Sequence, residues 1–313
     1  EVVAAIEEIR LHVDALVTAG EPPTFFALTT AIALVMARRI SSDWLVVEAG
    51  IGGRADATNV FGRADVVTAV TAIGLDHTDV LGQTVGAIAI EKTAVFAGRT
   101  TAVLGPQPFS EAVDVAQAAA IEHGVRLVEV AATNDWRHDA EATAAAVLAE
   151  LDPSAPDPVF SSQPGRYEQV KLPGIRPSRW IFDGAHNPMK LKALVGPLRS
   201  EPGSRLGVVS VGEGKDLAGC ADAIASALDA AIVVPFGPMH GEFGPQSHPT
   251  SALADAFRAA GVADVIEATD ANAAVAIATA RGEVSTVVVT GSFLHLNDVR
   301  RALLRRGTLM KGT

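Results

Sequence analysis

The sequence predicts two α/β domains, each built on a largely parallel sheet. Short apolar, β-branched runs alternate with helical windows along nearly all of the 313 residues. Many of those runs end in clusters of glycine and polar residues, and open parallel sheets bind ligands beyond the carboxyl ends of their strands. The alternation breaks once, at Asp152-Pro153-Ser154-Ala155-Pro156-Asp157-Pro158, continuing to Gln163-Pro164-Gly165. Prolines at that density read as a linker. The expected domains are therefore residues 1–151 and 152–313.

Each element has its own signal. In residues 1–19, Val3, Ile6, Ile9, Leu11, Val13 and Leu16 are apolar among charged neighbours and read as an amphipathic helix, and Gly20-Glu21-Pro22-Pro23 stops it. Thr24 can cap a second helix, Phe25 to Arg39. Its apolar part is too short to span a membrane and reads as a core helix. Trp44 to Val47 reads as a buried strand, ending on Glu48 and the glycine turn of Gly50, Gly52 and Gly53. Asp65 to Ile73 reads as a strand running into Gly74-Leu75-Asp76-His77, and Gly82 to Phe96 as a helix carrying Glu91 and Lys92. A strand at Thr101–Leu104, a helix at Ser110–His123, a strand at Val125–Val130 and an alanine-rich helix at Trp136–Leu151 follow.

Past the linker the alternation restarts. Trp180 to Phe182 is a strand ending at Asp183-Gly184-Ala185-His186-Asn187-Pro188, with a helix from Met189. Leu206 to Val211 is a strand ending at Gly212-Glu213-Gly214-Lys215-Asp216, and the residues around 220 are helical. Strands at Ala231–Val234, Val265–Ile266 and Ser285–Thr290 interleave with helices at Ser251–Ala260, Ala271–Ala280 and Leu296–Arg305. The last strand runs into Gly291-Ser292.

Composition narrows the function classes. A net charge of −11 argues against a non-specific nucleic-acid or anionic-membrane surface. The single cysteine, Cys220, excludes an internal disulfide and suits a reducing, cytoplasmic setting. No apolar run has transmembrane length.

The candidate chemistry sits at the predicted strand ends. Gly50-Ile51-Gly52-Gly53-Arg54-Ala55 fits the dinucleotide pattern G-x-G-x-x-A. That pattern needs a helix directly after the turn, and Ala55-Asp56-Ala57-Thr58-Asn59 opens one poorly. A carboxylate and an imidazole, Glu48 and His77, suit Mg²⁺ or Mn²⁺ with phosphate oxygens. Lys92 is cationic and repels a metal unless modified. In the second domain Arg166 suits a phosphate and Asp183 a ribose or a turn, beside His186, Asn187, Lys215 and Asp216.

Together these motifs resemble the folylpolyglutamate synthase/dihydrofolate synthase branch of the Mur ligase superfamily. EAGIGGRADATNV (48–60), GLDHTDVLGQTVGAIAIEKTAVF (74–96), PGRYE (164–168), DGAHNP (183–188), GKD (214–216) and TGSFLHLNDVR (290–300) occur in the family's order. The resemblance implies a Mur-ligase-like central domain followed by a Rossmann-like ligase domain. It implies an ATP-dependent ligase that joins glutamate to a folate-like acid through an acyl phosphate. It places Mg²⁺, at one or two sites, on Glu48, His77 and a carbamylated Lys92, with Lys92 and His77 in the catalytic group. It assigns Asn59, Arg166, Asp183, His186 and Asn187 to ATP, and Ser292 to the incoming amino acid.

The family's phosphate loop, T-G-T-N-G-K-G-S/T, is not found in these residues. The only G-x-G-K, Gly212 to Lys215, falls in the second domain and is followed by Asp216. A preceding N-terminal segment or a protein partner is expected to supply the loop. The alternative is a degenerate member without that loop that binds a ligand or partner and catalyses nothing.

Overall fold

The proline-rich stretch is where the chain divides, into units Glu1–Val159 and Phe160–Thr313. The structure, a computed structural model, describes residues 1–61, 66–133, 135–156, 158–159, 163–237 and 244–306.

The first unit opens with helices α1 (Val2–Thr18) and α2 (Phe25–Arg39). A three-stranded parallel sheet follows, β1 (Val67–Val70), β2 (Thr101–Leu104) and β3 (Arg126–Glu129), in that order. Helices α3 (Thr78–Leu81), α4 (Val85–Thr93), α5 (Ser110–His123) and α6 (Trp136–Leu151) alternate with the strands. On α5, Ala112, Ala116 and Ala120 recur every fourth residue and are all buried, so one small-residue face meets the core. That core includes Ile73, Ile88, Phe96 and Leu104. Helix α4 starts at Val85 rather than Gly82 because the Thr84 hydroxyl accepts from the Ala87 N–H at 3.1 Å. The turns before it form α3 instead, and Gly82, at φ +111°, ends that helix.

Two expectations fail here. Trp44 to Val47 forms no strand, and Trp44 is 57% and Val46 96% exposed. A strand buried on both faces needs ladder partners and covering layers, and this run has no ladder partner among the described residues. Helix α2 keeps its expected bounds and its Thr24 cap, with Ala27 N–H donating at 3.1 Å. It is not a core helix, since none of its residues is buried and Phe25 is 82% exposed. Apolar composition records a tendency to be covered without naming the surface that covers it. The strand expected from Asp65 is observed as β1, and Asp65 itself lies outside the described residues.

Among the described residues the second unit holds six strands in the order β4 (Glu168–Lys171), β5 (Arg179–Asp183), β9 (Thr286–Thr290), β6 (Arg205–Val209), β7 (Ala230–Val233) and β8 (Asp264–Glu267). Only β4 runs antiparallel, at the edge beside β5. The helices are α7 (Pro188–Ser200), α8 (Leu217–Ala225), α9 (Thr250–Ala259), α10 (Ala271–Ala280) and α11 (Phe293–Arg305). Strand β9 is the last in sequence yet inserts between β5 and β6. The carboxyl ends of β5, β9 and β6 are thereby neighbours, at a point where the strand order reverses. Trp180, Phe182, Leu206, Val208, Ile232, Val287 and Val289 fill one core on this sheet.

His295 of α11 is wholly buried. Its Nε2–H donates to the Val208 carbonyl at 3.0 Å, and Nδ1 has no hydrogen-bond partner. Burial pushes the imidazole down from 6.5 to about 4, against the raising effect of the Val208 bond. The folded pKa lies below the unfolded one, so the unfolded chain binds the proton first as pH falls. The stability from keeping His295 neutral is complete above the unfolded pKa of 6.5 and is lost as pH falls toward about 4. The loss amounts to roughly 3 kcal/mol at most. Urea midpoints measured down this pH range are expected to fall for the parent protein, with a shallower fall for His295→Leu.

Candidate functional site

In the first unit the glycine turn is shaped by what it packs against. A side chain at Gly53 would meet the carbonyl oxygens of Glu91 and Lys92 at 2.8 and 2.9 Å, and one at Gly52, φ +72°, would meet Leu81 at 2.9 Å. The Arg54 N–H donates to the Glu91 carbonyl at 3.1 Å, and its guanidinium to the Glu91 carboxylate at 3.2 Å. Residues 50–54 thus lie against the end of α4 that carries Lys92, while Gly52 touches α3, the helix that begins next to His77. No helix follows the turn, which removes the dinucleotide reading. Asp56 closes the loop, accepting from the Ile51 and Thr58 N–H groups at 2.9 Å each. Burial pushes its carboxyl up, but the bonds from Thr58, Ile51 and Gly50 hold it below the usual carboxylate range.

The expected ligands are less uniformly placed. Glu48 and His77 are exposed and Lys92 is half-buried. His77 sits in the left-handed region at φ 52°, with Nε2 4.0 Å from an Asp76 carboxylate oxygen. Asn59 turns inward, its amide donating to the Arg54 carbonyl and its oxygen accepting from Arg99, both at 3.4 Å. No group of three or more His, Cys, Asp or Glu side chains is placed to hold a metal among the described residues. A carboxylate and an imidazole suit Mg²⁺ or Mn²⁺. An ammonium at Lys92 would repel such an ion, whereas a carbamate there, an anion with two oxygens, would attract it.

In the second unit the carboxyl ends of β5, β9, β6 and β7 border an open cavity of about 510 Å³. Its lining includes His186, Glu213, Lys215, Phe236, Gln246, Ser292 and Phe293. Gly291, at φ +105°, brings the backbone so close to β6 that a Cβ would stand 1.8 Å from the Ser210 carbonyl oxygen. Ser292 caps α11, its hydroxyl accepting from the Leu294 N–H at 3.2 Å. Phe293 fits over Gly184, where a Cβ would meet its ring at 2.3 Å. The Arg166 guanidinium stacks on that same ring, 4.7 Å from its centroid.

Asp183 and Asn187 are buried and serve the backbone. The Asp183 carboxylate accepts from the Ala185 N–H at 2.8 Å and the Tyr167 N–H at 2.7 Å, tying the loop around Arg166 to β5. Burial pushes its carboxyl up, opposed by those two bonds and by Arg166. Asn187 caps α7 by accepting from the Lys190 N–H at 2.9 Å, and Pro188 occupies the first turn. Asp216 likewise caps α8, accepting from the Gly219 N–H at 2.9 Å.

Of the expected residues in this unit, His186, Lys215 and Ser292 line the cavity, while Arg166 approaches its wall through Phe293. Gln246, which donates to the Glu213 carboxylate at 2.9 Å, carried no sequence signal because it is an ordinary polar loop residue. An ammonium and a hydroxyl beside an apolar ring can seat a small anion such as a carboxylate.

Residues 165–293 match the family model described as Mur ligase, glutamate ligase domain. A dihydrofolate synthase/folylpolyglutamate synthase of Escherichia coli (strain K12) is 33% identical over 314 residues, covering 89% of this chain and 71% of the relative. The solved Mycobacterium tuberculosis folylpolyglutamate synthase complexed with ADP and AMPPCP is similar at a TM-score of 0.79 and 26% identity, covering 96% of this chain and 78% of that one. A Yersinia pestis bifunctional folylpolyglutamate synthase/dihydrofolate synthase with Mn, AMPPNP and L-glutamate bound gives a TM-score of 0.69 and 26% identity, covering 95% and 75%. No helix among the described residues is long and apolar enough to cross a membrane.

Proposed function

We propose a function from one premise: the chain belongs to the folylpolyglutamate synthase/dihydrofolate synthase family of Mur ligases. It is an ATP-dependent ligase that joins the amine of glutamate to the carboxylate of a folate-like acid. The observation that carries this is relatedness along nearly the whole chain to enzymes of that one activity. ATP supplies the phosphoryl group that makes the acid an acyl phosphate, and a divalent ion offsets the charge that gathers there.

The chain's own residues divide the work. Glu48 and His77 would hold the metal ion, and Lys92, as a carbamate, would complete the site. Arg166 offers charge to the nucleotide phosphates, and Asp183 and Asn187 act by fixing the loops that carry Arg166 and His186. Asn59 supports the glycine turn from within. Lys215 and Ser292 take the carboxylate of the incoming amino acid, an ammonium and a hydroxyl on one cavity wall. The backbone cradle for the phosphates is assigned to a preceding segment or a partner protein, because no T-G-T-N-G-K-G-S/T loop occurs in these residues. We place the reaction in the cytoplasm, where ATP is available and Cys220 stays reduced.

The test is release of ADP and phosphate from Mg²⁺·ATP, with the phosphate-loop segment present. Turnover should require both a folate-like acid and L-glutamate and yield one amide per phosphate. Turnover indifferent to either substrate would make the protein an ATPase and reject the ligase reading.

A further inference from the structure

Lys190 lies in the first turn of α7, where the helix dipole disfavours a cation. Its position therefore does not serve the helix. Its Nζ stands 3.1 Å from Nε2 of His186, one turn earlier in the chain. The other ring nitrogen, Nδ1, is 2.8 Å from the Gly184 carbonyl oxygen. A carbonyl oxygen only accepts, so Nδ1 carries a hydrogen. An ammonium only donates, so Nε2 presents its lone pair. We infer that Lys190 is a positioning residue: it holds His186 as the neutral, Nδ1-protonated tautomer, and it carries the positive charge at this end of α7 in place of the imidazole.

This inference rests on the functional reading for its meaning, since His186 lines the cavity assigned above to the amino acid. With Nε2 committed to Lys190, His186 meets a bound ligand through its ring edge and donates no hydrogen from Nε2. The arrangement is built in, not incidental. The Asn187 cap fixes the Lys190 backbone N–H, Pro188 presets the first turn, and the half-buried lysine stem has little room to wander.

The experiment is ring-nitrogen NMR on protein labelled in its histidines, with the His186 signals identified by their loss in His186→Gln. The parent is expected to show a single Nδ1–H pattern for this ring. Lys190→Met should move the Nε2 resonance as the hydrogen bond from the ammonium is lost, the Gly184 carbonyl still holding the Nδ1 hydrogen, and Lys190→Arg should restore the parent pattern. An unchanged pattern in Lys190→Met, or an Nε2–H pattern in the parent, overturns the inference. The spectrum is read without substrates. A failed ligase assay would therefore sink the functional reading while leaving this result to stand or fall by itself.

Discussion

Gly291→Ala is expected to cost the second unit its fold, or to leave it folded with the cavity destroyed. The added Cβ would stand 1.8 Å from the Ser210 carbonyl oxygen, a backbone atom just past the end of β6 that cannot swing aside. Residue 291 is also held at φ +105°, a conformation that costs an alanine about 1–3 kcal/mol before any overlap is counted. Relieving the overlap means pulling β9 from β6 and losing the bond from the Gly291 N–H to the Ala185 carbonyl, 2.9 Å long. The sum is a loss of roughly 3 kcal/mol or more, read as the shift in urea midpoint. Gly214 is the control. It lines the same cavity, but a Cβ there meets nothing within 4 Å, so Gly214→Ala should leave the midpoint nearly unchanged. Equal midpoints for the two variants would show that the close approach of β9 and β6 is not rigid.

Lys92→Ala has the largest expected effect on activity, a fall in turnover of about a hundredfold or more, with little change in stability. Lys92 lies in the last turn of α4, and the urea midpoint of the variant, read beside its turnover, separates loss of the fold from loss of chemistry. If the midpoint holds and the loss comes from the carbamate oxygens, acetate or formate should restore part of the turnover. Lys92→Ala turning over within twofold of the parent would remove the carbamate role.

What the sequence made legible follows from how each element is stabilised. The inner strands of the second unit read plainly, because burial on both faces leaves an apolar run such as Val287, Val288 and Val289, all fully buried. Strand β4 did not, because Glu168-Gln169-Val170-Lys171 is an edge strand with one buried side chain. Helix α6 shows the bounds its pattern predicts, while Trp44–Val47 shows how an apolar run misleads when no described strand pairs with it. At the site, Ser292 and His186 were legible as residues just beyond strands. The reason for Gly53 was not: it makes room for the carbonyls of Glu91 and Lys92, some forty positions on. Asp183 and Asn187 read from the sequence as nucleotide ligands, and nothing in their sequence signal showed that their side chains also hold the backbone of the loops around them.

The most direct measurement follows the oxygen atoms of the acid. The acid substrate is prepared with heavy oxygen in its carboxylate and turned over with Mg²⁺·ATP and L-glutamate, and the released phosphate is weighed by mass spectrometry. If the carboxylate attacks phosphorus and the amine then displaces phosphate, each amide formed leaves one labelled oxygen in the phosphate. Amide formed with unlabelled phosphate, or phosphate released with no amide, would contradict an acyl-phosphate ligase.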